Sequence, residues 1–552
     1  MEMVRSRANR LLWVTTFLFI ALLARLFYIQ YAEKEVFMQR VTQQRAIDTP
    51  LKVLRGNIYD RNMIPFTNVE PQLYIIVIPN YFDTYDDVAE KLSHVTGYTK
   101  QYIVELLNKN RPVTFVLNEQ VPQEAEEKLQ HPGIQIIHLN KRYGDHALAR
   151  HIIGYTQDND KVGYAGIEKV FDDHLQSNQQ QSIGMIGDAI KRSIPGLGYR
   201  VTNTFNDYDY AAVKLTLDYH IQNAVEQVMD NKGIDGAVIV TDVRSGDVLA
   251  MASRPNYSQN NIEQYVRSEG SQLLNKALAA YDLGSVFKIV VAAAALEQRT
   301  VSPHTLFHCT GHINVDGKEF KCSSDEEGHG SLDFTQAFAK SCNTSFIDIG
   351  LKTGYDSIVD MAKRFGLGMP LEMFDGLEQQ SGHIPNSPYF STREIANISI
   401  GQGDILVTPI QTADMITTIA SGGVRKQLNI VDALITDKGN LVRKIRKQEE
   451  ASVISPTIAR QIQHMMQQVT VSGTGMHANL EAHGGAAGKT GSAETGWVIN
   501  GETKVHAWFG GYFPVEKPRY AVVVFVKNGR WGGSVAAPVF KEVSEEIIRL
   551  NR

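Results

Sequence analysis

Three short patterns in the C-terminal half carry side chains that together could perform acyl transfer. In chain order they are Ser285-Val286-Phe287-Lys288, Ser341-Cys342-Asn343 and Lys489-Thr490-Gly491. Each pattern is weak alone, but together they supply a serine nucleophile, a proton relay and a strand that recognises a carboxylate. The sequence therefore predicts chemistry that proceeds through a serine ester.

Ser285 and Lys288 are the predicted nucleophile and base. A serine hydroxyl becomes reactive only when a neighbouring base takes its proton, and a spacing of three at a helix start puts both side chains on one face. Lys288 must be neutral for this role, and burial or a second cation, for which Lys489 is the candidate, would lower its pKa from about 10.4. The chain contains no other S-x-x-K. The N–H groups of Ser285 and Ser492 would form an oxyanion hole.

The Ser-x-Asn pattern is the least specific of the three, because Ser258-Gln259-Asn260 also matches it. Ser341 and Asn343 are preferred since they fall in a predicted loop between two helical stretches. There the Ser341 hydroxyl could pass a proton to a leaving amine, and the Asn343 amide could hold a substrate carbonyl. Taken alone, the pattern is explained more simply as a helix cap.

The Lys-Thr-Gly pattern occurs twice. The copy at 352–354 lies at a predicted helix end, where glycine is an ordinary cap. The copy at 489–491 follows a glycine-rich stretch and leads into strands, so it predicts an edge strand that pairs with an extended peptide. Lys489 and Thr490 would bind a terminal carboxylate, and Gly491 would let the substrate backbone approach.

Length and composition describe a globular protein with more than one domain. The chain has 552 residues, of which 43% are hydrophobic and 21% are charged, so two or three folded units are expected. The formal net charge of −5 provides no basic surface and argues against a nucleic-acid partner.

The amino terminus predicts a membrane anchor. Leu11 to Ile29 is almost entirely apolar and is preceded by Arg5, Arg7 and Arg10. We expect a cytoplasmic tail at 1–10, a transmembrane helix at 11–31 and the remainder outside the cell membrane. A cleaved signal peptide and a buried core helix are the alternatives, but no small-x-small cleavage site follows the apolar run.

The remaining chain predicts a non-catalytic α/β region followed by an α+β catalytic region. The predicted elements are a stalk at 33–45, a strand at 73–78, a helix pair at 83–108, a loop or hairpin at 175–200, a helix capped by Thr216-Leu217-Asp218, a hairpin at 236–252, late strands at 505–513 and 520–527, and a final helix at 538–550. Strands before and after a helical middle predict an antiparallel sheet formed from both ends of the catalytic region.

The motif set resembles the penicillin-binding and serine β-lactamase superfamily, and further stretches narrow the resemblance to class B penicillin-binding proteins. These stretches are Arg55–Arg61, Gly163–Glu168, Gly401–Gly403 with Thr408-Pro409, and Val471–Gly475. The resemblance implies a transpeptidase domain near 236–552, with an antiparallel sheet flanked by helices. It also implies a pedestal (dimerisation-type) domain near 45–200. Leu283 and Val286 depart from the family pattern without removing a reacting group.

The resemblance also implies the reaction and its partners. The substrate would be peptidoglycan stem peptides ending in D-Ala-D-Ala, with β-lactams captured covalently on Ser285 and no cofactor required for catalysis. A D,D-carboxypeptidase, a β-lactam-hydrolysing or β-lactam-sensing enzyme and an inactive cell-wall scaffold are the alternatives. No Glu-x-x-Leu-Asn pattern is present to position a hydrolytic water. No glycan-polymerising domain fits before residue 216, so a separate polytopic glycosyltransferase is an expected partner.

All three cysteines surround the second pattern, with one histidine among them. Cys309, Cys322, His329 and Cys342 could bind a structural zinc ion tetrahedrally. A Cys322–Cys342 disulfide is equally compatible with an oxidising exterior. Three unlinked thiols are the third alternative, and the sequence leaves all three open.

Overall fold

The computed structural model divides the chain into two compact units. The smaller unit comprises Met1–Leu54, Pro71–Asn140 and Asn178–Asp207, and the larger comprises Arg55–Glu70, Lys141–Ser177 and Tyr208–Arg552. The structure describes residues 2–31, 33–34, 46–109, 111–117, 129–131, 133–157, 162–186, 199–203, 211–268, 270–322, 327–371, 373, 376–386, 390–436, 438–446, 449–499 and 501–551.

The helices in chain order are α1 Glu2–Tyr31, α2 Asp86–Thr96, α3 Lys100–Leu107, α4 Arg150–Ile153, α5 Gly166–Val170, α6 Asp172–Leu175, α7 Tyr219–Asn231, α8 Glu263–Val266, α9 Lys288–Glu297, α10 Phe334–Ala339, α11 Asn343–Thr353, α12 Tyr355–Arg364, α13 Thr392–Ser399, α14 Pro409–Ala420, α15 Pro456–Val471 and α16 Ala536–Leu550. Short 3₁₀ turns cover Pro79–Tyr81, Gly284–Phe287, Met476–Ala478 and Glu481–His483.

The strands in chain order are β1 Ala46–Arg55, β2 Ile58–Tyr59, β3 Glu70–Val77, β4 Val113–Leu117, β5 Ile134–Lys141, β6 Thr156–Gln157, β7 Val162–Gly163, β8 Gln176–Ile186, β9 Tyr199–Asn203, β10 Ala211–Leu215, β11 Gly236–Asp242, β12 Val248–Arg254, β13 Tyr281–Asp282, β14 Leu306–Cys309, β15 His312–Val315, β16 Lys318–Lys321, β17 Gly330–Asp333, β18 Leu406–Val407, β19 Val424–Lys426, β20 Val431–Thr436, β21 Leu441–Lys444, β22 Glu450–Ser452, β23 Ala487–Ile499, β24 Glu502–Phe513 and β25 Tyr520–Val526.

Helix α1 contains the predicted membrane span. Its segment Arg10–Tyr31 is 22 residues long and apolar enough to cross a bilayer. The hydroxyls of Thr15 and Thr16 donate hydrogen bonds to the carbonyls of Leu11 and Leu12, one turn earlier. These bonds satisfy the polar side chains inside the helix itself, as a lipid environment requires. Of the predicted stalk, residues 35–45 lie outside the described part of the chain.

In its described residues, the rest of the smaller unit contains two three-stranded sheets and a helix pair. Strands β4, β3 and β5 form one sheet in that order, and β1, β8 and β9 form the other. Apolar residues of β3, such as Ile75, pack with Leu92 of α2 and Ile103 of α3, and all three are fully buried. The predicted strand and helix pair are thus confirmed. The predicted hairpin exists as β8 paired with β9, while its residues 187–198 lie outside the described ranges.

A five-stranded antiparallel sheet forms the centre of the larger unit, with the order β12-β11-β25-β24-β23. Successive side chains of a strand point to opposite faces. Accordingly Val522 and Val524 of β25 belong to one core cluster with Phe540 of the final helix, whereas Val523 and Phe525 belong to the cluster of the helical middle. The predicted sheet, formed from both ends of the catalytic region, is confirmed, and β23 is one of its two edge strands.

A buried ion cluster in the larger unit joins two of the motifs that carried the family resemblance. Arg55 Nε lies 2.6 Å from Glu168 Oε2, and Arg142 Nε donates to Glu168 Oε1 at 2.7 Å. The side chains of all three residues are at most 1% exposed. A carboxylate that is removed from water must be paired with cationic hydrogen-bond donors, and the two arginines fill this role for Glu168.

The compact units alternate along the chain, whereas the predicted 45–200 domain is one continuous segment. Segments 55–70 and 141–177 belong to the larger unit, as do residues from 208 onward. Strand β2 pairs with β10, so its register is set by residues more than a hundred positions away. The chain thus leaves and re-enters each compact unit.

Candidate active site

The nucleophile candidate Ser285 lies on the 3₁₀ turn Gly284–Phe287, directly before helix α9. Gly284 has φ +59°, and a Cβ there would lie 2.7 Å from the Ser492 carbonyl oxygen. The Gly284 N–H donates to the carbonyl of Gly401 at 3.1 Å. We call Gly284–Phe287 the serine turn. Because Gly284 has no side chain, this turn can lie directly against the edge strand β23.

Lys288 is fully buried at the start of α9. Its Nζ donates to the Ser341 carbonyl at 2.7 Å, to Ser341 Oγ at 3.2 Å and to Asn343 Oδ1 at 2.7 Å. These three bonds use all the donors of an ammonium group, and Ser285 is not among the acceptors. Burial lowers the pKa of Lys288 to about 8, which brings the neutral amine within reach near physiological pH.

Ser341 lies in the loop between α10 and α11, as predicted, whereas Asn343 is the first residue of α11. Ser341 adopts φ +56°, a left-handed conformation that is uncommon for a residue other than glycine. The Asn343 side chain donates to the Lys321 carbonyl at 3.1 Å, and its N–H donates to Cys322 Sγ at 3.3 Å. Asn343 thus orients Lys288 through its Oδ1 atom. Its own position depends on hydrogen bonds to the neighbouring residues Lys321 and Cys322.

The Lys-Thr-Gly pattern at 489–491 lies on the edge strand β23. Lys489 is fully buried, and burial together with the charge of Lys288 holds its pKa well below the usual value. The expected electrostatic coupling of these two lysines therefore exists, but it acts mainly on Lys489, since burial alone accounts for the lowered pKa of Lys288. A Cβ on Gly491 would lie 2.9 Å from the Leu283 carbonyl, so glycine lets the strand contact the serine turn.

Two contacts of this strand were not predicted as site features. Thr490 Oγ1 lies 2.5 Å from Thr474 Oγ1, and Ser492 Oγ accepts a hydrogen bond from the Gly532 N–H at 3.1 Å. Thr474 belongs to the stretch Val471–Gly475, which served only as a sign of the family. Its role beside Thr490 could not be derived from spacing, because the two residues come from different elements.

The duplicate patterns lie in structural positions. Gly354 of the 352–354 copy caps the C-terminus of α11, as predicted. In the second Ser-x-Asn copy, the side chains of Gln259 and Asn260 donate to the carbonyls of Gly154 and Tyr143. The structure therefore brings together Ser285, Lys288, Ser341, Asn343 and the strand 489–492, and leaves both duplicates outside this group.

The three cysteines and His329 form one cluster next to Asn343. Their ligand atoms all lie within 4.8 Å of one another, and all three cysteines are free. Cys322 Sγ is 3.8 Å from Cys342 Sγ and 3.4 Å from His329 Nδ1. Hydrogen bonding from Cys322 and Ser345 lowers the pKa of Cys342 to about 3. This donor set and its spacing fit a tetrahedral Cys₃His site, in which Zn–S bonds of about 2.3 Å separate two sulfurs by about 3.8 Å.

Comparison with known protein families covers most of the chain. The family described as penicillin-binding protein transpeptidase domain matches residues 236–545, and the penicillin-binding protein dimerisation domain matches residues 50–186. Both matches lie within the predicted ranges 236–552 and 45–200.

The chain is similar to curated proteins over almost its whole length. It is 26% identical to stage V sporulation protein D of Bacillus subtilis strain 168, over 98% of this chain and 85% of that protein. It is 27% identical to peptidoglycan D,D-transpeptidase FtsI of Escherichia coli strain K12, over 96% of this chain and 89% of that protein. Peptidoglycan D,D-transpeptidase MrdA of Haemophilus influenzae is 25% identical over 95% of this chain and 88% of its own length.

Two solved structures share the fold. The D,D-transpeptidase domain of a peptidoglycan glycosyltransferase from Eggerthella lenta superposes with a TM-score of 0.65 at 23% identity, covering 91% of this chain and 99% of that one. Penicillin-binding protein A of M. tuberculosis, in a ceftriaxone acyl-enzyme complex, gives a TM-score of 0.56 at 27% identity, covering 62% of this chain and 80% of that one. With the motif geometry and the two family matches, these similarities show that the chain belongs to the class B penicillin-binding protein transpeptidases.

Proposed function

We propose that this penicillin-binding protein cross-links peptidoglycan as a D,D-transpeptidase through an acyl-enzyme on Ser285. The observation that carries the proposal is the burial of Lys288 within hydrogen-bonding distance of both Ser341 and Asn343. In its neutral form Lys288 takes the Ser285 proton, and Oγ attacks the penultimate D-Ala carbonyl of a stem peptide. The amide C–N bond breaks as Ser341 delivers its hydroxyl proton to the departing D-Ala amine. Ser341 takes a replacement proton from the Lys288 ammonium 3.2 Å away, which restores the neutral amine.

The edge strand supplies the remaining groups. Lys489 and Thr490 bind the terminal carboxylate, and the N–H groups of Ser285 and Ser492 hold the tetrahedral oxyanion. The amine of a neighbouring stem then attacks the ester, forming a new amide and returning the proton to the Ser285 oxygen. The contact of the Gly284 turn with Ser492 supports the placement of both N–H groups on one side of the groove.

Mass spectrometry of the penicillin adduct tests the nucleophile. Full-length protein labelled with a fluorescent penicillin should carry the adduct on the peptide that contains Ser285, and Ser285→Ala should abolish labelling. Ser258→Ala, in the duplicate pattern, should label normally and serves as the matched control. An adduct on any other residue, or labelling of Ser285→Ala, would contradict the proposal and return the inactive scaffold to consideration.

The lifetime of the adduct separates a transpeptidase from the hydrolytic alternatives. The described residues around Ser285 supply lysines, a serine, an asparagine and threonines, and the sequence lacks the Glu-x-x-Leu-Asn pattern. We therefore expect the penicilloyl ester to persist for hours. Loss of the label within seconds would indicate a D,D-carboxypeptidase or a β-lactamase.

The N-terminal helix supports attachment to the cell membrane with the catalytic unit on the outer side. The proposed orientation follows from the basic residues that precede the apolar span. A polytopic glycosyltransferase is the proposed partner, because a cross-linking enzyme needs glycan strands polymerised elsewhere. Co-purification of the full-length protein with a glycan-polymerising membrane protein tests this; recovery of the protein alone from mild detergent would count against it.

We further propose that Cys309, Cys322, His329 and Cys342 hold a structural zinc ion. Zinc bound there would tie the cysteine-bearing segment to the loop that carries Asn343, because the Asn343 N–H donates to Cys322 Sγ. Elemental analysis of the purified protein should give one zinc per chain, lost in Cys309→Ser. Absence of metal together with a thiol count that rises on reduction would instead indicate the Cys322–Cys342 disulfide.

A further inference from the structure

A cavity in the larger unit is formed by the segments that carry the Gly163–Glu168 motif. Its volume is about 770 Å³, and its walls come from residues near 151–169, 257, 273–279 and 376–380. A volume in the range of about 300–1,000 Å³ is typical of small-molecule sites. None of the proposed catalytic residues lines this cavity.

Three tyrosines supply much of the cavity wall. Tyr155 and Tyr164 stack with their ring centroids 5.6 Å apart, and Tyr257 meets Tyr155 edge-on at 6.2 Å. The Tyr257 hydroxyl donates to the Arg150 carbonyl at 2.8 Å, which fixes the orientation of its ring. Tyr164 is 53% exposed. An aromatic ring held open to the cavity offers a flat apolar face to a ligand.

Amide side chains provide the polar component. Gln380 Oε1 accepts from the Ala280 N–H at 2.7 Å, which orients the amide of this exposed residue. The Gln380 Nε2 group can therefore donate to a ligand acceptor in the cavity. Gln379 and Gln380 line the same cavity.

The charges of the cavity balance. Lys169 Nζ lies 2.6 Å from Glu378 Oε1 in an ion pair with both side chains at least half exposed, and burial lowers the pKa of His151 to about 4, so its ring is neutral at physiological pH. A site with balanced charge, flat aromatic faces and amide groups does not select a strongly anionic or cationic ligand. It fits an uncharged molecule that has an apolar face and many hydrogen-bonding groups.

We propose that this cavity, hereafter the tyrosine cavity, binds N-acetylated amino sugars of the peptidoglycan glycan strand. A sugar ring presents axial C–H groups to an aromatic face, and an acetamido carbonyl would accept from Gln380 Nε2. The inference rests on the proposed function, because it concerns the glycan that carries the stem peptides. The wall segment 273–279 continues through β13 into the turn of Ser285, so a glycan held there would be tethered to the same unit as the nucleophile.

Saccharide binding to the full-length protein tests the proposal. The protein is first acylated with benzylpenicillin, which blocks the groove at Ser285, and is then titrated with a tetramer of N-acetylglucosamine by isothermal calorimetry. We expect binding that Tyr164→Ala weakens about tenfold or more through loss of ring contact. Tyr164→Phe, which keeps the ring, should bind within about twofold of the parent protein, and Gln380→Glu, which keeps the acceptor but loses the donor, should bind more weakly.

The outcomes separate this proposal from the proposed function. Labelling of Ser285 by fluorescent penicillin in every variant shows that the catalytic unit is folded and that the proposed nucleophile stands. With labelling intact, absence of saccharide binding, or equal binding by Tyr164→Ala and the parent protein, would overturn the tyrosine cavity as a glycan site. A sugar-free stem peptide that binds there more tightly than the saccharide would also overturn it. Failure of labelling in the parent protein would instead refute the proposed function.

Discussion

At the scale of single residues, the protonation state of Lys288 controls the proposed reaction. The ammonium form donates to three oxygens of the Ser341–Asn343 loop and has no lone pair for the Ser285 proton. Burial favours the neutral amine of Lys288, and it lowers the pKa of the nearby Lys489 in the same way. The charge of Lys288 additionally lowers the pKa of Lys489, whereas the pKa of Lys288 is lowered by burial.

The pH dependence of acylation follows from this arrangement. Because burial lowers the pKa of Lys288 to about 8, protonation disables the base below that pH. The second-order rate constant for acylation by penicillin should rise about tenfold per pH unit below pH 8 and level off above it. Stopped-flow measurements between pH 6 and 10 would check this, with the thermal midpoint recorded at each pH as a control for unfolding. A flat profile from pH 6 to 8 would exclude Lys288 as the titrating base.

Thr474 is the second residue whose role can be tested individually. Thr474→Val keeps the shape of the side chain but removes its hydrogen bond to Thr490. Loss of one bond of about 1–1.5 kcal/mol should slow acylation about tenfold, because Thr490 is no longer held for the substrate carboxylate. Ser472→Ala in the same exposed segment should leave the rate unchanged. Equal rates for both variants would remove Thr474 from the site.

At the scale of elements, the active site depends on close contact between the serine turn and strand β23. Gly284 and Gly491 are the two positions where a Cβ would meet backbone atoms of the opposite segment. The sheet edge and the start of α9 therefore fit together only because these residues lack side chains. The Arg55–Glu168 cluster has a comparable role elsewhere in the larger unit, where it joins segments distant in sequence.

Gly284→Ala tests whether acylation depends on this contact rather than on the backbone strain of an alanine at positive φ. The new Cβ would lie 2.7 Å from the Ser492 oxygen, so the turn and β23 must move apart. A displacement near 1 Å should reduce the acylation rate about a hundredfold. Gly233→Ala is the matched control, because φ is +61° there and nothing lies within 4 Å of its Cβ. Both variants carry similar backbone strain, so an equal loss of acylation would mean that strain, not the contact, is responsible.

At the scale of the whole molecule, the apolar helix α1 distinguishes an anchored enzyme from a freely diffusing one. The candidate span Arg10–Tyr31 covers 22 residues, which is sufficient for the hydrocarbon core of a bilayer. Anchoring would confine the enzyme to the membrane surface, where new peptidoglycan is assembled.

Protease protection should reveal the orientation of the anchor. The proposed cytoplasmic N-terminus predicts that a peptide tag before Met1 survives protease treatment of spheroplasts, whereas a tag after Arg552 is removed. Immunoblotting for both tags provides the measurement, and detergent lysis should expose the N-terminal tag as a control. Digestion of the N-terminal tag in sealed spheroplasts would reverse the proposed topology.

The sequence by itself determined the elements with strong local patterns. The apolar run of α1, the cap of α7 by Asp218 and the strands flanking the helical middle all depend on short-range spacing and hydrophobic periodicity. The S-x-x-K spacing likewise placed Ser285 and Lys288 on successive turns. Such features could be predicted because their geometry is set by residues close in sequence.

Only the tertiary structure decided which distant residues meet. Lys288, Asn343 and Lys489 come from three separate elements, and Thr474 was missed because its contact with Thr490 depends on how α15 ends beside β23. The clustering of the three cysteines with His329 also depends on contacts between residues distant in sequence, and so does the division of the chain into two units. Burial and charge proximity, which shift the two lysines' pKa values, exist only once the core has closed around them.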